Sequence, residues 1–184
     1  ARAEGIDPLA PRGSYAGAMG LGQFMPSSFQ SFAVDFDGDG RRDLWRNPRD
    51  AIGSVAHYFQ KNGWRSGQPV AVPASVSGAA WPALVSRQIN PPQSSVARLR
   101  SQGIVPEAPV SDAQAAMLLE LQGRDHSEYW LGFDNFYAIT RYNRSLLYAM
   151  AVYQLSQEIR ERYARSSAGA LPEHSTRIAH MGIH

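Results

Sequence analysis

The chain has 184 residues, 43% of them apolar, enough for one large or two small domains and too many for a disordered chain. It has no cysteine, which excludes disulfides and thiol chemistry, and no apolar run long enough to span a membrane as a helix. The net charge of +2 comes from 18 basic and 16 acidic residues spread along the sequence, without the basic stripe that nucleic-acid binding needs, so no nucleic-acid partner is expected.

The opening ARAEGIDP reads as the end of a helix, with no visible signal peptide, and sequence is expected upstream of it. From Ser14 to Gly22 the run SYAGAMGLG suits neither helix nor strand, and resembles backbone that must pass close to something else. Pro26 fits the first turn of a helix, with Phe24, Met25, Phe29 and Phe32 as apolar anchors. A second helix is predicted from Asp50, as its cap, to about Lys61, ended by Asn62-Gly63. Ile52, Val55, Ala56 and Phe59 would form its buried stripe. Val70 to Val72 is a short strand candidate before Pro73, and Pro73 to Pro92 is rich in Pro, Ser and Ala. Ser94 to Gln102 predicts a short helix closed by Gly103. The run Ala116 to Leu121 fits helix or strand equally. A last helix is predicted from a Ser145 cap to about Arg165, with Leu146, Ala149, Met150 and Tyr153 facing inward.

These elements suggest a core segment over 1–64, a small mixed α/β subdomain with a modest sheet over 65–127, a return to the core over 128–165, and a loose tail over 166–184. The tail holds His174, His180 and His184, whose spacing matches no metal site.

The most informative stretch is DFDGDGRRDLWRNPRD, Asp35 to Asp50. Asp35, Asp37 and Asp39 alternate in a tight loop, and such carboxylates repel unless a cation neutralises them. A hard divalent ion such as Ca²⁺ takes six to eight oxygens. Gly40 stands sixth, where an EF-hand turns sharply, and Arg41 stands seventh, where a backbone carbonyl serves. The twelfth position, normally a bidentate Glu, is Arg46, and the next acid suited to closing the loop is Asp50, sixteenth. The loop 35–50 is therefore either longer than a standard EF-hand or open at its end. The alternative is a surface turn, which Asp and Gly also favour.

A second cluster is aromatic: Tyr129, Trp130, Phe133, Phe136, Tyr137, Tyr142, Tyr148 and Tyr153. Part of it must be core. The excess of Tyr, beside Asn and Ser in FYAITRYNRS, also suits sugar rings, which present apolar faces edged with hydroxyls.

The strings GSYAGAMGLGQFMPSSF, AVDFDGDG…DLW…DAIGSVAHYF and FYAITRYNRS resemble the B-type lytic transglycosylases of bacteria, membrane-bound and soluble, over about Gly5 to Arg160. The resemblance implies an α+β fold: a lysozyme-like, mostly helical core with a small inserted β-subdomain and an EF-hand-like loop. It implies cleavage of the β-1,4 bond between N-acetylmuramic acid and N-acetylglucosamine, leaving a 1,6-anhydro end. The family's single glutamate acid lies well before the GSYAGAMG motif. Glu4 is the sole nearby candidate and its surroundings do not match, so no residue here is given the catalytic role and the acid is expected upstream. By similarity, Ser14 and Gln23 face the scissile bond, while Tyr58, Tyr142, Asn143 and Tyr148 stack on and orient the glycan. Asp35, Asp37, Asp39, the Arg41 carbonyl and Asp50 would hold a structural Ca²⁺. The partners implied are peptidoglycan strands and the enzyme's own N-terminal portion. Cell-wall synthesis proteins are left open, as is outer-membrane anchoring from the implied periplasmic location. Two other readings stay open: a hydrolytic muramidase, and a catalytically silent wall- or metal-binding module.

Overall fold

A computed structural model describes residues 12–123 and 125–169. The predicted tail lies outside these beyond 169, with its three histidines. The order is α1 (Pro26–Phe32), α2 (Pro48–Lys61), β1 (Ala71–Val76), a 3-10 turn (Trp81–Leu84), β2 (Ser94–Ser95), α3 (Val96–Ser101), β3 (Ile104–Pro106), β4 (Ala115–Gln122), β5 (Ser127–Gly132), α4 (Asp134–Tyr142) and α5 (Leu146–Gly169). Among the described residues no helix is long and apolar enough to cross a membrane.

The strands form one five-stranded antiparallel sheet in the order β2-β4-β5-β1-β3. β1 runs straight through Pro73, which the sequence suggested as its end. Proline lacks an N–H, so it survives in a strand only where the ladder does not need that donor. Here β1 pairs with β5 through Pro73 and with β3 from Ala74 onward, so the proline sits at the change of partner. β5 pairs with both β4 and β1, so the sheet extends through Gly132, past the expected subdomain limit at 127.

The ambiguous run around Ala116 is the strand β4. Met117, Leu119 and Leu121 pack on one face, with Phe136 and Ile139 of α4 and Ala149 and Met150 of α5. Ala116 and Leu118 face the other side, with Val96 and Leu99 of α3, Ile104 and Phe133. Burial on both faces erases the alternation that marks a strand, which is why periodicity could not decide.

α5 begins as expected, with Ser145 Oγ accepting from the Tyr148 N–H at 3.2 Å, but it continues past Arg165 to Gly169. The predicted inner face holds: Ala149 and Met150 are buried, and Leu146 and Tyr153 pack against the same cluster. α4 is pinned by buried Asn135, whose amide donates to the carbonyls of Arg65 and Gln68 at 2.8 and 2.9 Å and accepts from Arg65 N–H at 2.8 Å.

α2 departs from prediction in two ways. Its cap is Asn47, whose side chain accepts from Arg49 N–H at 3.0 Å, with Pro48 at the first helical position. Asp50 lies inside the first turn. The predicted apolar stripe is also not buried: Ile52 is 69% exposed, Ala56 is exposed, and Val55 and Phe59 are half-buried. The buried residues are Asp50, Ala51, Gly53 and Ser54. This face meets the backbone of residues 32–36, not a hydrophobic layer. His57 Nδ1 lies 3.0 Å from the Phe32 carbonyl, Ser54 Oγ accepts from Val34 N–H at 2.9 Å, and Asp50 Oδ1 accepts from Phe36 N–H at 2.8 Å. Residues 50, 54 and 57 share a helix face, and it meets the chain where it leaves α1. Gly53 lets the Phe36 ring lie flat on the helix: a Cβ there would stand 2.5 Å from the ring.

Candidate functional site

The acidic loop closes on α2. One carboxylate oxygen from each of Asp35, Asp37, Asp39 and Asp50 lies within 4.8 Å of the others. Asp35 accepts from the N–H groups of Gly38, Asp39 and Gly40 at 2.7, 3.1 and 2.8 Å, a wrap that needs the left-handed φ of +77° at Gly38 and +86° at Gly40. Asp39 accepts from Arg41 N–H at 2.9 Å, and Asp37 from the Asn47 amide at 2.9 Å. Asp50 is 0% exposed and binds the start and the middle of the loop, accepting from Phe36 N–H at 2.8 Å and Asp43 N–H at 2.9 Å.

The loop is long for a specific reason. Asp43 accepts from Trp45 and Arg46 N–H at 2.9 and 3.0 Å and organises a turn at Leu44–Arg46. That turn lies between the three alternating aspartates and Asp50, the fourth converging carboxylate, sixteenth from Asp35. Four converging carboxylates are a hard-oxygen donor set that fits Ca²⁺ in kind. The Arg41 carbonyl remains an expectation.

The second constellation is built around residues 13–24. Gly13 bridges Met19, and Met19 bridges Phe24, folding the glycine-rich run back on itself. Leu21 N–H donates to the Leu44 carbonyl at 2.7 Å, tying this run to the turn inside the acidic loop. Gly20, at φ +68°, passes so close that a Cβ would stand 2.5 Å from the Leu44 oxygen. The sequence suggested backbone in close approach, and this is the contact.

Gln23 is the one non-glycine with positive φ among the described residues, at 50°. Its amide donates to the Gly20 carbonyl at 2.9 Å, and the side chain is exposed. A strained, exposed polar residue beside packed backbone is the kind of feature that clusters at functional sites. Next to it, Tyr142 Oη donates to the Gly22 carbonyl. The Tyr142 ring lies 5.0 Å from Tyr58, 6.0 Å from Phe24 and 5.8 Å from Phe59. Tyr58 Oη donates to the Arg141 carbonyl at 2.6 Å. The fold thus brings Gln23, Tyr58 and Tyr142 together from three distant segments, with Tyr148 near enough to influence Tyr142. Tyr148 is 36% exposed. Asn143 caps the C-terminus of α4 and is exposed, its carbonyl accepting from Ser145 N–H at 2.7 Å. Ser14 is exposed, and its Oγ accepts from Ala18 N–H at 3.1 Å, which caps a turn.

Burial raises the Tyr142 hydroxyl to about 12, with Tyr148 and Tyr58 adding to it. Burial also raises Tyr58, opposed by Arg141. Below pH 10 Tyr142 keeps its proton whether folded or unfolded. Between 10 and about 12 the unfolded chain loses a proton that the folded chain keeps, so stability falls as pH rises through this window. Tyr142→Phe should therefore lower stability near neutral pH by about 1 kcal/mol through the lost hydrogen bond. It should also flatten the alkaline decline, and urea titrations at pH 8 and pH 11 measure both effects. Equal alkaline slopes in parent and variant would remove Tyr142 as the group responsible.

An open hollow of about 860 Å³ lies between residues 34–36, the Gly53–Gln60 face of α2, and Trp64 with Ser66. It includes none of the six glycan-contacting residues suggested by resemblance. Sequence reading missed it because its α2 wall was read as a core stripe.

The chain is 48% identical over 159 residues to membrane-bound lytic murein transglycosylase B of Escherichia coli strain K12, covering 86% of this chain and 42% of that protein. It matches the soluble lytic transglycosylase SltB1 of Pseudomonas aeruginosa at 48% identity and a TM-score of 0.83, over 89% of this chain and 54% of that one. It matches Escherichia coli lytic transglycosylase Slt35, in complex with calcium, at 51% identity and a TM-score of 0.75, over 85% of this chain and 48% of that one. The chain thus spans about half the length of the relatives it matches. The model of the transglycosylase SLT domain family matches residues 1–157, and the chain belongs to that family.

Proposed function

We propose that the chain forms one wall of a peptidoglycan-cleaving cleft in a lytic transglycosylase of lysozyme-like fold. The observation that carries this reading is the seating of the Gly22–Gln23 turn against Tyr142 and Tyr58, in a chain 48% identical to a lytic murein transglycosylase. The reaction is non-hydrolytic cleavage of the bond between N-acetylmuramic acid and N-acetylglucosamine. It passes through an oxocarbenium-like state, in which one carboxylic acid protonates the leaving oxygen. That acid needs a pKa raised by apolar surroundings. The sugar's own N-acetyl oxygen can stabilise the cationic centre. The ionised carboxylate then accepts the proton of the 6-hydroxyl, which closes the 1,6-anhydro ring. The acid is assigned to no residue of this chain. Gln23 presents its amide at the scissile region, held by its own turn. Tyr58 and Tyr142 form the aromatic wall, with Tyr148, Asn143 and Ser14 along the glycan path.

Asp35, Asp37, Asp39, Asp50 and the Arg41 carbonyl form an EF-hand-like Ca²⁺ site. The ion would supply charge neutralisation and loop stability, since the loop meets the Gly22–Gln23 turn through the Leu21–Leu44 hydrogen bond and not through the carboxylates. The substrate places the protein in the bacterial periplasm.

The test uses an enzyme joining this chain to the acid-bearing segment. Gln23→Ala should lower kcat on peptidoglycan by about 10- to 100-fold with an unchanged melting temperature. Alanine faces the same positive φ, so backbone strain is matched. Unchanged turnover would make Gln23 structural. Product mass tests the chemistry: an anhydro end is one water lighter than the hydrolysed end that a muramidase would leave.

A further inference from the structure

The geometry points to a second glycan-binding stretch: the hollow between residues 34–36, α2 and Trp64 holds sugar units of the same strand that crosses the Gly22–Tyr142 wall. This rests on the glycan reading above and extends it to residues outside that wall. Three observations carry it.

The first is continuity. Phe59 belongs to both places: its ring lies 5.8 Å from Tyr142 and 5.7 Å from Trp64, and it lines the hollow. A run of three rings, Tyr142–Phe59–Trp64, therefore leads from the candidate cleft to the hollow. The run is set by the end of α2. Gly63, at φ +93°, turns the chain, and Trp64 N–H donates to the Phe59 carbonyl at 2.9 Å, which folds the indole back over the helix.

The second is chemistry. The rings of Phe36, Phe59 and Trp64 line the hollow together with the polar groups of Asp35, His57, Gln60 and Ser66. That combination suits N-acetylated sugars, which stack an apolar face and hydrogen-bond at the edge. His57 is oriented for this. The Phe32 carbonyl can only accept, so Nδ1 donates to it and Nε2 is left to accept from a hydroxyl. Gln60 is exposed and adds both a donor and an acceptor.

The third is construction. About 860 Å³ lies within the range of ligand sites, and the walls are fixed by Asp50, Ser54 and His57 holding the backbone of residues 32–36.

Isothermal titration of this chain with a peptide-free tetrasaccharide of alternating N-acetylglucosamine and N-acetylmuramic acid tests the proposal. Ala56 and Gln60 are both exposed, so their variants should fold, which circular dichroism and melting verify. Ala56→Arg fills the hollow and should weaken binding at least about tenfold, and Gln60→Ala about threefold, the loss of one hydrogen bond. Tetrasaccharide affinity unchanged in Ala56→Arg, with Gln23→Ala weakened, would overturn the hollow while leaving the cleft intact. No binding by the unsubstituted chain would also overturn it, and the cleavage reading would still face its own product-mass test. Sedimentation in which Ala56→Arg abolishes self-association but spares sugar binding would assign the hollow to a second copy and overturn the proposal.

Discussion

Asp50→Ala should destabilise the chain by about 2–4 kcal/mol and abolish any rise in melting temperature on adding calcium. The magnitude follows from burial. Asp50 is 0% exposed and accepts from Phe36 N–H and Asp43 N–H, which hold the start and the middle of the acidic loop against α2. Hydrogen bonds to a charged acceptor are the stronger kind, and removing the acceptor strands two N–H groups on the helix face. The same carboxylate is one of four converging within 4.8 Å, so its loss also removes a ligand. Asp37→Ala separates the two roles. Asp37 is exposed and accepts from the Asn47 amide at the surface, so this change should spare calcium-free stability and lose the calcium effect. Denaturant titrations and melting curves, each with calcium and with a chelator, read out both quantities. If Asp50→Ala kept the parent's full calcium-induced shift, Asp50 would not close the metal loop.

Gly20→Ala should destabilise by about 2–4 kcal/mol, and the turn bearing Gln23 should shift with it. Two causes add. At φ +68° any L side chain is strained by about 1 kcal/mol. A Cβ at this position also stands 2.5 Å from the Leu44 carbonyl oxygen and 2.9 Å from the Leu44 Cβ, inside contact distance, against backbone tied by the Leu21–Leu44 hydrogen bond. Gly17→Ala is the control. Gly17 has a φ of +88° but open space around it, so only the backbone strain applies. Urea unfolding of both variants gives the difference due to the clash. Equal destabilisation at the two positions would mean that the close approach to Leu44 is not tight.

Much of the helical framework was legible because its signals are local. Pro26 and Asn62-Gly63 fall at the predicted helix ends, and Ser145 caps α5 as expected, since a cap needs only its own turn. The alternating aspartates were legible for the same reason: a loop wrapped around its own side chains is encoded within a few residues. What failed depended on partners far along the chain. Ile52 and Phe59 have helical spacing, yet α2 turns Asp50, Ser54 and His57 toward residues 32–36, because on that side its neighbour is backbone that needs hydrogen bonds, while Val55 and Phe59 pack on apolar clusters. β4 hid its strand character because it is covered on both faces by elements near in space and distant in sequence.

The residue types at the candidate site came from motif alone, and their assembly did not. By itself the sequence determined where the chain turns, where carboxylates gather, and which family it resembles. Only the tertiary structure decided that Asp50 joins the three aspartates across the Leu44–Arg46 turn, that Tyr142 reaches the Gly22 carbonyl, and that Ser14 caps a turn with Ala18. The physical reason is range. Propensities and spacings act over a few residues, whereas a half-buried hydrogen bond between positions 22 and 142 is set by the packing of everything between them.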